Sequence, residues 1–208
     1  MITVNPPAYS QKTQAMLDFG QQTFAKIVEC SPETISDEHR TLVFAMFTAV
    51  VTQHYHAILI LCQGQMTPAS ATALFRPLIE SVIRAHWLWT NPSEDIIEAF
   101  LKDPKFEFGG FKKLAREVGE RTDMLDFFQP FIDFYPNMCD YTHTGIGQVG
   151  RHFTAQNGVG PHQSDDWTRE CVRESTKLAL FHSILTCRFL GKPDGASILE
   201  EWSTHIPE

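Results

Sequence analysis

The sequence predicts an all-α fold, a multi-helix bundle of three long core helices with shorter helices packed on them. Three observations carry that expectation. Thr67-Pro68, Asn91-Pro92 and Ser164-Asp165-Asp166 each set a capping residue, with Pro or acids behind it, ahead of an apolar-periodic run. No run alternates polar and apolar residues between hairpin-type turns. In 165–190, Trp167, Cys171, Ser175, Leu178, His182, Leu185 and Phe189 recur at steps of three and four, which is one face of a helix.

In chain order, helices are expected near 9–29 and 37–63; the second contains the most apolar stretch, Leu42 to Cys62. That stretch is long enough to span a bilayer, but Thr52-Gln53-His54-Tyr55-His56 falls at its centre, where polar groups cost most, so a buried helix is expected. The Thr67-Pro68 cap starts a helix over 68–90, and Asn91-Pro92 starts one over 92–103. Shorter helices follow at 110–120 and 123–135. The second includes Phe127 to Pro136, where aromatic side chains crowd between Pro130 and Pro136, as a Pro-interrupted helix covering the core or as the aromatic wall of a pocket. A helix near 145–154, the long 165–190 helix and a last one at 195–204 complete the order. The core is assigned to 37–63, 68–90 and 165–190.

With 208 residues, 43% hydrophobic and 20% charged, the chain fits one helical domain over 1–208, with 1–8 and 205–208 loosely ordered. Lys plus Arg total 17 against 25 Asp plus Glu, and a net charge of −8 works against a broad phosphate-binding surface, so nucleic acid is not the expected partner. The start, Met1 to Pro7, lacks the basic and apolar regions of a secretory signal. Cys30, Cys62, Cys139, Cys171 and Cys187 form no Cys-x-x-Cys pair and read as reduced thiols. The expectation is a cytoplasmic protein without a membrane span.

Gly145-Ile146-Gly147-Gln148-Val149-Gly150 matches the dinucleotide fingerprint, but the residues before it, Asn137 to Thr144, are not a buried strand and no βαβ pattern surrounds it. Its glycines read instead as a helix start that lets a neighbouring helix approach closely. Nine histidines invite a metal reading that their spacing discourages: there is no His-Glu-x-x-His, and His54 and His56 point to different sides of a helix. Asp140 and His143 have a chelating separation, yet would need His54 or His182 from elsewhere. His182, on an apolar stripe, reads as a hydrogen-bonded core histidine. Neither Gly-x-Ser-x-Gly nor a cysteine beside a local base is present, so nucleophilic catalysis has no support. No metal or cofactor is expected.

The feature with most structure lies in 68–90, whose only charges are Arg76, Glu80 and Arg84. Steps of four put all three on one face, where Glu80 reaches both guanidiniums. The ladder is then either a solvated stripe with two surface ion pairs or the lining of a cleft, where two arginines around one carboxylate leave a net positive, planar anion-binding face with Trp87 near it as a stacking surface. The segment Asn137 to Gly145 is expected as a loop running into a helix N-terminus, another anion-favouring feature. The candidate site is therefore Arg76, Glu80, Arg84, Tyr141, His143 and Arg151, with His143 the group able to change charge near neutrality. The alternative is that Tyr141 and His143 only hydrogen-bond the ladder and lock the loop to the core.

Phe75-Arg76-Pro77-Leu78-Ile79-Glu80-Ser81, followed by Asp140-Tyr141-Thr142-His143-Thr144-Gly145 and then Arg151, resembles an uncharacterised bacterial all-helical family that pairs an Arg-x-x-x-Glu helix with a Tyr-Thr-His-type segment. More distantly the chain resembles HEPN-type bundles, many of them ribonuclease toxins or defence components with an Arg-x(4–6)-His motif. Here no arginine has a histidine five to seven residues downstream. The resemblance implies a helical module of a bacterial defence or stress system. The functional expectation is non-catalytic binding of a small anionic ligand or a partner; the alternative is a degenerate HEPN-like ribonuclease using Arg76, Glu80, Arg84 and His143. Because 37–63 and 68–90 are apolar around most of their circumference, a homodimer through helix contacts is also expected.

Overall fold

The computed structural model describes residues 8–33, 36–64, 68–91, 93–142 and 164–207, and at Pro68 and within Asp140–Thr142 the backbone alone. Eight helices occur among them: α1 Gln11–Cys30, α2 His39–Gln63, α3 Pro68–Thr90, α4 Glu94–Lys102, α5 Phe111–Thr122, α6 Leu125–Thr142, α7 Asp165–Phe189 and α8 Pro193–Ser203. The described residues contain no strand, so the fold is an all-α helical bundle. The helix expected near 145–154, the 145–150 glycines, His143 and Arg151 lie outside the described residues.

Local chemistry accounts for the helix ends. Ser164 caps α7, its side chain accepting from Trp167 N at 3.2 Å, with Asp165 and Asp166 in the first turn where the helix dipole favours acids. Ser10 caps α1 in the same way. The two caps are tied together: Ser10 N donates to Asp165 Oδ1 at 2.9 Å and Thr13 Oγ1 donates to Asp165 Oδ2 at 2.7 Å. The last carbonyls of α3 are collected by one side chain from α2. Arg40 Nη1 donates to Leu88 O, Trp89 O and Asn91 O at 2.7–2.8 Å, and its Nε donates to Glu94 at 2.9 Å.

The α2–α3 pair is the most extensive in the bundle. On one side α7 packs against α1, α2 and α8; on the other, α5 and α6 pack against α3. By length and composition α2 is the one helix among the described residues able to cross a membrane. It packs against α3, α7 and α1 and buries Phe44, Val51, Tyr55, Ile58, Leu59 and Cys62. The Tyr55 hydroxyl, fully buried, reaches Gly20 O at 3.0 Å and Thr176 Oγ1 at 2.9 Å, a polar rivet between α1, α2 and α7. A Cβ on Gly20 would sit 2.7 Å from Leu59 Cδ2, so the absent side chain there permits the close crossing of α1 and α2.

His182 is a core histidine, as its stripe predicts. It and His86 are wholly buried, with His182 Nδ1 3.2 Å from His86 Nε2 and His182 Nε2 2.9 Å from Thr48 Oγ1. Thr48 donates its own hydroxyl proton to Phe44 O, so its oxygen accepts from His182 Nε2–H. His182 Nδ1 then accepts from His86 Nε2–H. That leaves His86 Nδ1 as a buried lone pair without a partner among the described residues. Burial holds both rings below the usual imidazole range, His182 at about 3, so both are neutral.

One expectation is corrected. The sequence ends the sixth helix at 135 and makes Asn137–Gly145 a loop, whereas α6 continues to Thr142 through Pro130 and Pro136. Proline removes a donor and crowds the carbonyl four residues back. Against that cost, Phe128, Phe131, Ile132 and Met138 keep helical spacing across Pro136 and all are buried, so packing overrides local propensity.

A candidate anion-binding cleft

The α3 ladder forms as its spacing predicts. Arg76 Nε donates to Glu80 Oε1 at 2.7 Å and Arg84 Nη2 donates to Glu80 Oε2 at 2.8 Å. Glu80 is 12% exposed, Arg76 22% and Arg84 38%, so the carboxylate is the inner member and Arg84 the outer one. A third donor comes from α6: the Tyr135 hydroxyl donates to Glu80 Oε1 at 2.6 Å. Its ring stacks on Phe111 of α5, centroids 4.1 Å apart, and lies 5.5 Å from the Arg76 guanidinium. Arg84 rests over Phe108 at 5.0 Å.

These contacts fix charge states. Burial raises the Glu80 carboxyl, but the Tyr135, Arg76 and Arg84 donors outweigh it and hold the group below its ordinary value. Burial and the neighbouring carboxylate push Tyr135 up to about 12. Glu80 is thus an anion with both oxygens engaged, and Tyr135 a neutral donor.

The ladder faces a polar cavity of about 190 Å³, closed by Gly109, Gly110, Phe111, Leu114, Ile83 and Tyr135. Here α5 starts, and its N-cap, Gly110, supplies no side-chain acceptor to the first-turn N–H groups. A Cβ on Gly110 would meet nothing within 4 Å, and Gly109, Gly110 and Phe111 at this helix start line the cavity. Two guanidiniums, one carboxylate and the positive end of a helix dipole therefore converge on one cleft.

Of the residues named from sequence, Arg76, Glu80 and Arg84 meet here. Tyr141 falls in the last turn of α6, and His143 and Arg151 lie outside the described residues. Trp87 does not supply the cleft's aromatic surface: its Nε1 donates to Glu117 at 2.7 Å and its ring packs on Phe108. Phe111 and Tyr135 take that place. The helix N-terminus expected after the Asn137–Gly145 segment lies outside the described residues, the segment itself being helical to Thr142; the helix start at this cleft is that of α5. Tyr135 is not among the residues the sequence points to, since Pro136 ends the expected helix beside it; extending the Phe128–Phe131 period across Pro136 puts Tyr135 beside the buried face. Among the described residues no cluster of three His, Cys, Asp or Glu could hold a metal ion.

A helical bundle with a charge-laddered cleft between three of its helices is the class of protein these features define. The chain belongs to DUF6988, a family of unknown function, whose profile matches residues 48–206 and so includes every helix of the cleft. Comparison with curated proteins and with solved structures gave no match.

Proposed function

We propose that this protein is a non-catalytic binding module whose Arg76–Glu80–Arg84 cleft receives a small phosphate- or carboxylate-bearing ligand. The observation that carries the reading is Glu80 with three donors on its two oxygens, a geometry that spends the carboxylate on holding two arginines at a cleft already facing a helix N-terminus. The net charge there is positive although the chain carries −8, which favours a small anion over a long polyanion. Catalysis is disfavoured by the same contacts. A carboxylate held low by three donors is a poor general base near neutrality, and a phenol at about 12 is a poor nucleophile.

The setting we propose is the cytoplasm of a bacterium, in a defence or stress system, and distantly HEPN-like. We further propose a homodimer, supported by Leu42, Met46 and Val50, which are exposed at steps of four along α2.

Calorimetric titration with inorganic phosphate, adenosine monophosphate and a short RNA tests the reading on wild type and Arg84→Ala. Expected are saturable binding of phosphate or the nucleotide, a loss of about tenfold or more in Arg84→Ala, and intact RNA throughout. Equal binding by both proteins, or none, overturns the site; RNA cleavage that Arg84→Ala abolishes restores the ribonuclease alternative.

A further inference from the structure

A second cavity, of about 230 Å³, lies between α3, α6 and α7 and is open to solvent on one side. It begins one residue from the ladder on both helices, since Phe75 precedes Arg76 and Phe134 precedes Tyr135. The rings of Phe75, Phe131, Phe134 and Trp167 wall it, which realises the aromatic-wall expectation for the Phe127–Pro136 stretch. Half-buried Cys171, in the second turn of α7, also lines it. Next to Cys171, in the last turn of α2, is the fully buried Cys62. Both thiols are free, and the Cys62 S–H donates to the Cys171 sulfur.

The corner that holds the pair is tied from a third side. The Tyr9 hydroxyl donates to Cys62 O at 2.6 Å, while Ser10 N and Thr13 Oγ1 donate to Asp165 at the start of α7. The start of α1 therefore fixes the end of α2 against the start of α7. A disulfide sets its sulfurs about 2.05 Å apart, so thiols already in hydrogen-bond contact have a short approach left. The hydrogen bond to Cys171 and then burial push the Cys62 thiol well above its ordinary range, which suits it to the resolving role and not the attacking one. An accessible thiol poised next to a resolving thiol is the arrangement of a redox-responsive pair. We propose that Cys171 and Cys62 close a reversible disulfide between α7 and α2, with Cys171 the thiol that a small hydroperoxide reaches through the cavity. In the first step the Cys171 sulfur attacks the peroxide: an S–O bond forms, the O–O bond breaks, and the thiol proton leaves with the departing alcohol or water. In the second, the Cys62 sulfur displaces the hydroxyl from the Cys171 sulfenic acid, and that hydroxyl departs as water with the Cys62 proton. Two thiols are oxidised and one hydroperoxide is reduced. The pair shares no residue with the anion cleft and does not rest on that reading.

The test exposes reduced protein to hydrogen peroxide, alkylates the remaining thiols at intervals and follows intact mass and the peptide map. Expected are a loss of two hydrogens per chain, a cross-linked peptide joining Cys62 to Cys171, and recovery of both thiols with dithiothreitol. Cys171→Ser should lose that cross-link. Cys62→Ala should instead keep a sulfenic acid on Cys171 that dimedone traps, because the resolving thiol is gone. Cys139→Ser, at a half-buried thiol on α6, should leave the cross-link unchanged. Cys187, buried and donating to Cys30 O at 3.3 Å, should react with neither peroxide nor alkylating agent in the folded chain. The wild-type map is decisive by itself if the variant at buried Cys62 does not fold. Oxygen retained on Cys171 of the wild type without a link to Cys62 overturns the proposal. So does a first disulfide at any other pair, or a Cys171 that peroxide leaves unchanged.

Discussion

Glu80 holds α3 and α6 together by what it accepts, and removing it breaks three hydrogen bonds, from Arg76, Arg84 and Tyr135, in a half-buried setting. Breaking a fully buried pair costs about 3–5 kcal/mol and an exposed one below about 1 kcal/mol. With exposures between 12% and 38%, Glu80→Ala is expected to cost about 2–3 kcal/mol, read from the urea midpoint. A loss under about 0.5 kcal/mol would place the ladder among surface ion pairs. The histidine pair makes a different prediction. Both rings titrate lower in the folded chain than in the unfolded one, so the unfolded chain binds the extra protons. Their contribution is intact above about pH 6.5 and is lost as pH falls toward the folded values. Each group adds a slope of up to about 1.4 kcal/mol per pH unit. Burial lowers His54 as well, which adds in the same direction. Denaturation between pH 7.5 and 5 should show stability falling with acid, and His182→Gln should remove about one proton's worth of that slope. A flat profile in wild type would contradict the neutral pair.

At the scale of elements, cap chemistry and apolar period made most helices legible. The bounds 68–90 coincide with α3, and 165–190 with α7 to one residue, because Thr67-Pro68 and Ser164-Asp165 are strong local signals. The extent of α6 was not legible, since Pro136 argues locally against a helix that only tertiary burial sustains. The candidate site divides along the same line. Arg76, Glu80 and Arg84 follow from spacing within one helix, whereas Tyr135 and Gly110 reach the cleft through packing of α5 and α6 on α3, which no local pattern encodes. The α5–α6 corner gives a further prediction. A Cβ on Gly119 would lie 2.8 Å from Leu125 Cα, and backbone cannot swing aside as a side chain can. Gly119→Ala should cost about 1–3 kcal/mol, while Gly110→Ala, facing open space, should cost less than about 1 kcal/mol by the same denaturation measurement. Equal stabilities would mean that the corner yields.

For the molecule as a whole, the outer face of α2 stands out as uncharged: the sequence has no Asp, Glu, Lys or Arg from Thr41 to Gln63, and Arg40 is engaged at the end of α3. Sedimentation equilibrium at micromolar concentration should return a dimer for wild type and a monomer for Met46→Glu, which sets a charge amid the Leu42–Met46–Val50 row. A monomer for both would leave that row simply solvent-exposed.

The neighbouring positions Phe75 and Arg76, and again Phe134 and Tyr135, make α3 and α6 a partition between two media. On one side is a polar cleft with ion pairs; on the other, a pocket walled by Phe75, Phe131, Phe134 and Trp167. Charges backed by a low-dielectric wall have their field lines turned outward, toward the opening where a ligand approaches. The apolar side thereby serves the charged side. Setting an amide in that wall, as Phe131→Asn would, should let the field spread backward and weaken phosphate binding at the cleft. Calorimetric titration with inorganic phosphate would show the loss without any residue of the ladder having been changed.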